Sequence, residues 1–293
     1  MRSLRTLLRS LPFYAPALAL ALFFVLVPMM SSFYYSLTDW NGLDPAMRFI
    51  GMENFRHMAS DDMFLNGLRN TLIFALAVTV VQNTAALALA MAVDAPFHGK
   101  EAIRVAFFMP AVLSALVVGY SWAFILNPLF GALNALIQAM GLDFLVSDWL
   151  GDPGLALPSI VGITVWQFTG YSMVIYLAGM QGVPRELYEA SNIDGAGIFR
   201  KFFQITFPLI APSFTINVLL SMIGTMKVFD LIFVTTNGGP GYATETVATV
   251  LYNQAFQTNK MGYGTAIAVV LFVLIFGFSV VQMGVLRRRE ELS

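Results

Sequence analysis

No cysteine occurs in this sequence. That excludes a disulfide framework, a thiolate nucleophile and any metal site built on sulfur. Charge is scarce as well: Asp, Glu, Lys and Arg make up 11% of the 293 residues, against about 25% in an ordinary soluble domain. So few charges cannot keep a chain this apolar in water, and lipid must cover much of it. The net charge of −1 supplies no basic face for nucleic acid. The two histidines, His57 and His98, fall in expected loops without metal-ligand spacing, so no metal site is expected. There is no glycine-rich phosphate loop of the Walker type, so the chain cannot hydrolyse ATP by that route. Nothing suggests a catalytic triad or a paired intramembrane carboxylate. The chain is not expected to be an enzyme or to bind a cofactor of its own.

What is present is apolar: 58% of residues are hydrophobic, 26 of them Phe, and the mean hydropathy is +0.73. A membrane-spanning helix needs about 20 apolar residues, each adding about 1.5 Å across a core of about 30 Å. Six stretches contain no Asp, Glu, Lys or Arg: Ser10–Thr38, Asn70–Val93, Val105–Leu142, Pro153–Pro184, Phe202–Met226 and Met261–Leu286. Within them, helical spans are expected at about Tyr14–Tyr34, Thr71–Val93, Val105–Ile125, Ile160–Leu177, Ile210–Val234 and Thr265–Leu286. The expected fold is all-α, with 1–293 forming one transmembrane domain. Arg2, Arg5 and Arg9 precede the first run as in a signal peptide. Its Ala15-Pro16-Ala17 triplet, however, lies at the wrong end, and the run is too long, so an uncleaved anchor is expected.

An even number of spans puts both termini on one side. That side then carries Arg2, Arg5, Arg9, Lys100, Arg104, Arg185, Arg200, Lys201 and Arg287 to Arg289, while the opposite side carries Arg48, Arg56, Arg69 and Lys260. Positive charge stays inside, so both termini are expected in the cytoplasm and the longer loops outside. Trp40, Trp149 and Tyr242 in those loops suit the membrane interface. The loops either present a docking surface or merely link helices.

The longest inward connection, 182–208, reads as helix, tight turn, helix. Pro184 suits a first helical turn, and Glu186 and Glu189 lie near its positive end. Gly195 then permits a left-handed cap. Beyond it, Ile198, Phe199, Phe202, Phe203 and Ile205 form an apolar side, and Pro208 and Pro212 mark entry to the fifth span. Such a knob can pass force from a soluble partner to the membrane.

This segment resembles the EAA loop of binding-protein-dependent ATP-binding-cassette permeases, through Glu189, Ala190, Ser191, Asp194, Gly195, Ala196, Ile205, Phe207 and Pro208. Ser191 and Phe207 depart from the family's Ala and Leu. Thr236-Asn237-Gly238-Gly239-Pro240 is similar to a loop of the maltose-permease branch, in its shorter, six-span form. The resemblance implies a type I importer permease moving a sugar or sugar-like solute across the inner membrane by alternating access. It implies that Glu186 and Glu189 to Ala196 form the coupling element seated on an ATPase. It further implies a second homologous permease, an ATPase homodimer that holds ATP-Mg, and a periplasmic or extracellular solute-binding protein.

By the same resemblance, Thr164, Gln167, Phe168, Tyr171, Ser221, Gly224, Thr225 and Val228 line the substrate path. Thr164, Phe168 and Tyr171 share one helix face, as do the four positions of the fifth span. Polar groups in hydrocarbon also serve helix packing, and that reading stands beside the first. Lys227 and Asp230, three residues apart, either pair with each other on one helix or bind an anionic group of the substrate. The alternative to an importer is an ion-coupled secondary transporter, which predicts acidic residues mid-span or internal repeats; neither is evident.

Overall fold

A computed structural model describes residues 14–95 and 98–290; Arg2, Arg5 and Arg9, expected on the cytoplasmic side, lie outside the described residues. In chain order the principal helices are α1 Tyr14–Tyr35, α2 Asp62–Asp94, α3 Lys100–Phe108 and α4 Ala115–Ile125. Then come α5 Ala156–Gln181, α6 Arg185–Ile193, α7 Ile198–Leu209, α8 Ala211–Met226, α9 Asp230–Thr235 and α10 Met261–Glu290. Among the described residues the only β pairing is an isolated bridge between Thr38 and Phe49. Helices α1, α2 and α5, with Met261–Leu286 of α10, are long and apolar enough to cross a membrane. Two bent pairs, each counted as one span, bring the spans to six.

Both bends depart from the straight spans expected from sequence. The third span is not one helix over 105–125: α3 runs on through a 3₁₀ turn at Met109–Val112 and then turns by 100° into α4. Pro110 lies in that 3₁₀ turn, and Ser114 restarts the helix as its N-cap, accepting from the Val117 N–H at 3.4 Å. The fifth span bends by 72° between α7 and α8, where Pro208 and Pro212 flank Ile210 and remove main-chain donors. It ends at Met226, and a separate short helix, α9, follows. The second span is longer than expected. It begins at Asp62, because a helix carrying charged residues continues beyond the stretch free of them.

The chain divides into two compact units. One comprises 1–61 and 250–272. Within it the loop after α1 is tied by Asn54, whose amide donates to the Ser36 and Thr38 carbonyls at 2.8 and 2.9 Å. The Gly262 N–H donates to the Trp40 carbonyl at 2.7 Å. Asp39 accepts from the backbone and side chain of Arg48 at 2.7 and 2.8 Å, which holds its carboxyl below the usual range. Phe23 and Phe24 of α1 are exposed, as lipid-facing side chains are.

The other unit comprises 62–249 and 273–293. It has two apolar cores. Phe74 and Val78 of α2 pack with Ile160 and Ile163 of α5 and with Leu231 and Ile232 of α9. Further along the same helices, Ala86, Ala90 and Val93 pack with Met173, Tyr176 and Met180, and with Ile210 at the start of α8. Residue numbers rise together in α2 and α5 and fall in the stretch from α9 back to α8. Hence α2 and α5 run parallel and α8 runs against them. Gly170 allows α3 and α5 to touch: a Cβ there would lie 1.9 Å from the Phe107 carbonyl oxygen.

Gly170→Ala should therefore force α3 from α5 and destabilise the fold by about 1–3 kcal/mol, the usual scale of overpacking. Gly162→Ala, on the same helix with nothing within 4 Å of the added carbon, should be neutral or stabilising by about 0.5–1 kcal/mol. Thermal unfolding of the two variants in detergent checks the contrast.

Candidate functional site

Between the two cores lies a belt of polar side chains. The Gln82 amide donates to Ser172 Oγ at 2.8 Å, and Asn83 Nδ2 donates to Ser221 Oγ at 2.9 Å. Tyr176 Oη donates to Asn83 Oδ1 at 2.7 Å, and Asn217 Nδ2 donates to the Ser172 carbonyl at 3.1 Å. All of these residues are buried. Side chains of α2, α5 and α8 thus satisfy most of one another's polar groups where lipid offers no partner, with Asn217 Oδ1 left without a partner among the described residues. Sequence reading had not singled out Gln82 and Asn83. Their signal was two adjacent amides inside the otherwise apolar run Thr71–Val93.

The belt borders a cavity of about 580 Å³, within the range of small-molecule sites, about 300–1,000 Å³. All eight positions expected to line a path are brought together there: Thr164, Gln167, Phe168 and Tyr171 from α5, Ser221, Gly224 and Thr225 from the end of α8, and Val228 from the break that follows it. Phe168 and Tyr171 are 38% and 41% exposed, offering ring faces, while Thr164, Gln167, Ser221 and Thr225 are buried beside them. Other polar residues of these spans serve packing. The Thr169 and Thr215 hydroxyls donate to carbonyls one turn back, and Trp166 meets Trp122 edge-on at 5.3 Å. Trp149, expected at the membrane interface, packs against the first core, and its indole N–H donates to Asn134 at 2.8 Å.

The helix breaks shape this cavity. Where α3 and α4 part, the Leu113 carbonyl is freed, and Gln167 Nε2 donates to it at 3.2 Å. Where α8 stops, Lys227, Phe229 and Asp230 line the wall. The expected pairing of Lys227 with Asp230 on one helix does not form. The helix ends at Met226, Lys227 has φ −106° and ψ 18°, and neither side chain has an ion-pair or hydrogen-bond partner among the described residues. The turn after α9 is anchored to α2. Asn70 Nδ2 donates to the Glu245 carbonyl at 3.0 Å, the Val247 N–H donates to Thr71 Oγ1 at 3.0 Å, and the Thr236 and Thr244 hydroxyls share a bond of 2.7 Å.

At the far end of the second core, α6 leads into a tight turn. Gly195 has φ +70° with open space around its missing Cβ, so conformation rather than room requires glycine. The Ala196 N–H donates to the Ser191 carbonyl at 2.9 Å and the Gly195 N–H to Asn192 at 3.1 Å, the paired bonds of a left-handed helix cap. Tyr188 Oη and Thr206 Oγ1 lie 2.9 Å apart and join α6 to α7, and Lys201 Nζ bonds Asn192 Oδ1. Glu186, Glu189, Ala190, Asp194 and Gly195 are exposed, Ala196 is half-buried and Ser191 is buried. The Ser191 hydroxyl donates to the Tyr188 carbonyl at 2.7 Å, so its departure from Ala is absorbed inside the helix. Around the turn, Ile193, Ile198 and Phe199 are 88%, 83% and 81% exposed.

Residues 84–290 match the family described as "Binding-protein-dependent transport system inner membrane component". The "Probable ABC transporter permease protein YurN" of Bacillus subtilis is 36% identical, over 95% of this chain and 96% of its own length. The "Probable starch degradation products transport system permease protein AmyD" of Thermoanaerobacterium thermosulfurigenes is also 36% identical, over 95% and 94%. Among solved structures, a bacterial ABC transporter involved in import of the acidic polysaccharide alginate superposes with a TM-score of 0.85 at 21% identity, over 98% of this chain and 99% of that one.

Asn83→Leu would strand the Tyr176 hydroxyl and remove the donor to Ser221. A loss of about 1–3 kcal/mol is expected, read as a lower unfolding midpoint in detergent, with Thr84→Leu on the exposed side of α2 as the neutral control.

Proposed function

Because the chain belongs to the binding-protein-dependent transport system inner membrane component family, we propose that it forms one half of the membrane path of an ATP-binding-cassette importer for carbohydrate. It is a multi-pass membrane permease of such an importer. The finer assignments follow from the chemistry of its two sites. The observation that supports a carbohydrate path is the convergence of residues from one face of α5 and from the end of α8 on a single cavity beside the first apolar core. Aromatic faces at Phe168 and Tyr171 stand beside hydroxyl and amide groups there. Stacking on the apolar face of a sugar ring and hydrogen bonding to its hydroxyls needs that combination. AmyD, by its name a carrier of starch degradation products, agrees with the class.

The turn after α6 is the coupling element in this proposal. Glu186, Glu189, Ala190, Asp194 and Gly195 present an exposed acidic helix end, and Ile193, Ile198 and Phe199 add an apolar patch that water alone would disfavour. A separate ATPase dimer, holding ATP-Mg, covers this patch on the cytoplasmic side. Tyr188, Ser191 and Thr206 transmit its closure to α7 and hence to the bend before α8. A second, homologous permease completes the path, and a solute-binding protein delivers substrate to the opposite face. Both termini lie in the cytoplasm under this orientation. An ion-coupled secondary transporter is not favoured, because the family is that of binding-protein-dependent importers.

The deciding experiment is purification of the tagged chain in mild detergent with identification of what accompanies it. One companion permease and an ATPase dimer are expected; a lone chain or a pure homo-oligomer would overturn the reading. Within the assembled complex, Gly195→Pro and Glu189→Lys should abolish substrate-stimulated ATP hydrolysis while leaving insertion intact. Gln167→Ala and Tyr171→Ala should lower uptake by about tenfold or more, and unchanged uptake in both would remove α5 from the path.

A further inference from the structure

The cavity wall at the end of α8 carries two charges of opposite sign. Lys227 closes α8 and Asp230 opens α9, and both line the cavity. Neither has an ion-pair or hydrogen-bond partner among the described residues. These are the charged groups of the lining, so its formal charge is zero. An unpaired charge beside apolar surface is costly unless a ligand or water satisfies it. The break between the helices holds the two groups apart while keeping them on one wall.

Three hydroxyls of the lining are already committed as donors. Thr164 Oγ1 donates to the Ile160 carbonyl at 2.9 Å, Ser221 Oγ to Asn217 at 2.8 Å and Thr225 Oγ1 to Ser221 at 2.7 Å. A hydroxyl has one proton, so toward the cavity these three present lone pairs alone. With the Asp230 carboxylate they make this wall rich in acceptors; the Lys227 ammonium is its charged donor, and the Tyr171 hydroxyl is a neutral one on the α5 side. A phosphate, sulfonate or carboxylate group has acceptors to offer and no proton to give. It would occupy Lys227, leave the hydroxyl lone pairs idle and set a negative charge against Asp230. A neutral sugar hydroxyl both donates and accepts, and adjacent hydroxyls satisfy Asp230, the Thr and Ser lone pairs and Lys227 together.

We propose that Lys227 and Asp230 are specificity-determining residues that bridge neighbouring hydroxyls of an uncharged polyhydroxylated solute and reject anionic sugars. This rests on the carrier reading above and narrows its substrate class. The test uses the assembled transporter with its binding protein in proteoliposomes. Uptake is measured for maltose, trehalose and cellobiose against glucose 1-phosphate, glucuronate and sulfoquinovose. Uptake confined to neutral probes is expected. Lys227→Gln and Asp230→Asn should each lower it about tenfold, with partial rescue by Lys227→Arg and Asp230→Glu and with co-purification of the complex unchanged. Uptake of an anionic probe by the unaltered transporter, or unchanged neutral uptake in both charge-removing variants, overturns the inference and leaves the importer reading in place. Uptake of no probe by an assembled complex overturns the inference together with the carbohydrate class. If a variant does not assemble, the probes decide on the unaltered transporter.

Discussion

Main-chain and side-chain polar groups inside a membrane must find partners within the protein, because hydrocarbon offers none. Much of the larger unit follows from where that requirement is met. Unbroken helices meet it by their own ladders, so α2 and α5 form the frame. Two of the departures from regular helix, between α3 and α4 and at the end of α8, release groups that need other partners. Gln167 takes the freed Leu113 carbonyl. At the second break a charged pair is separated and left facing a cavity. The cavity and the polar groups that line it are thus products of the same interruptions.

The polar belt has a second consequence. It joins α2, α5 and α8 through side-chain bonds of 2.7–3.1 Å at the level of the cavity. Apolar cores on either side tolerate sliding of smooth surfaces, whereas this belt has a definite register. The bend before α8 and the capped turn after α6 are attached to the second core, through Ile210, Val183 and Tyr188. Force applied at the turn therefore has a packed route toward the belt, which gives the coupling proposal its physical content.

Much of this was legible in the sequence. The six charge-free runs located every span, because burying a charge in lipid is costly wherever it falls. The left-handed cap at Gly195 was legible because only its backbone conformation matters there. The shared helix faces of Thr164, Phe168 and Tyr171 followed from helical periodicity, and they meet at one cavity. Less legible was the break after α8. Lys227-Val228-Phe229 contains neither Gly nor Pro, so no local rule separates it from continuing helix, whereas the first break did carry local signals, Pro110 and the N-cap Ser114. Gln82 and Asn83 were passed over for a related reason: an amide in an apolar run is an expense until its partner is known, and the partners lie on other helices.

The amino-acid sequence by itself determined that the chain lives in lipid, how often it crosses, which turn is rigid and which helix faces are polar. Composition and period decide these, and each is a property of residues near one another along the chain. Tertiary structure alone decided that Lys227 and Asp230 stand unpaired among the described residues at one cavity, that Gln167 is shared between a broken helix and that cavity, and that Ser191 points inward while Ile193 and Phe199 point out. Those outcomes depend on which neighbour satisfies which group, and such neighbours are distant in sequence.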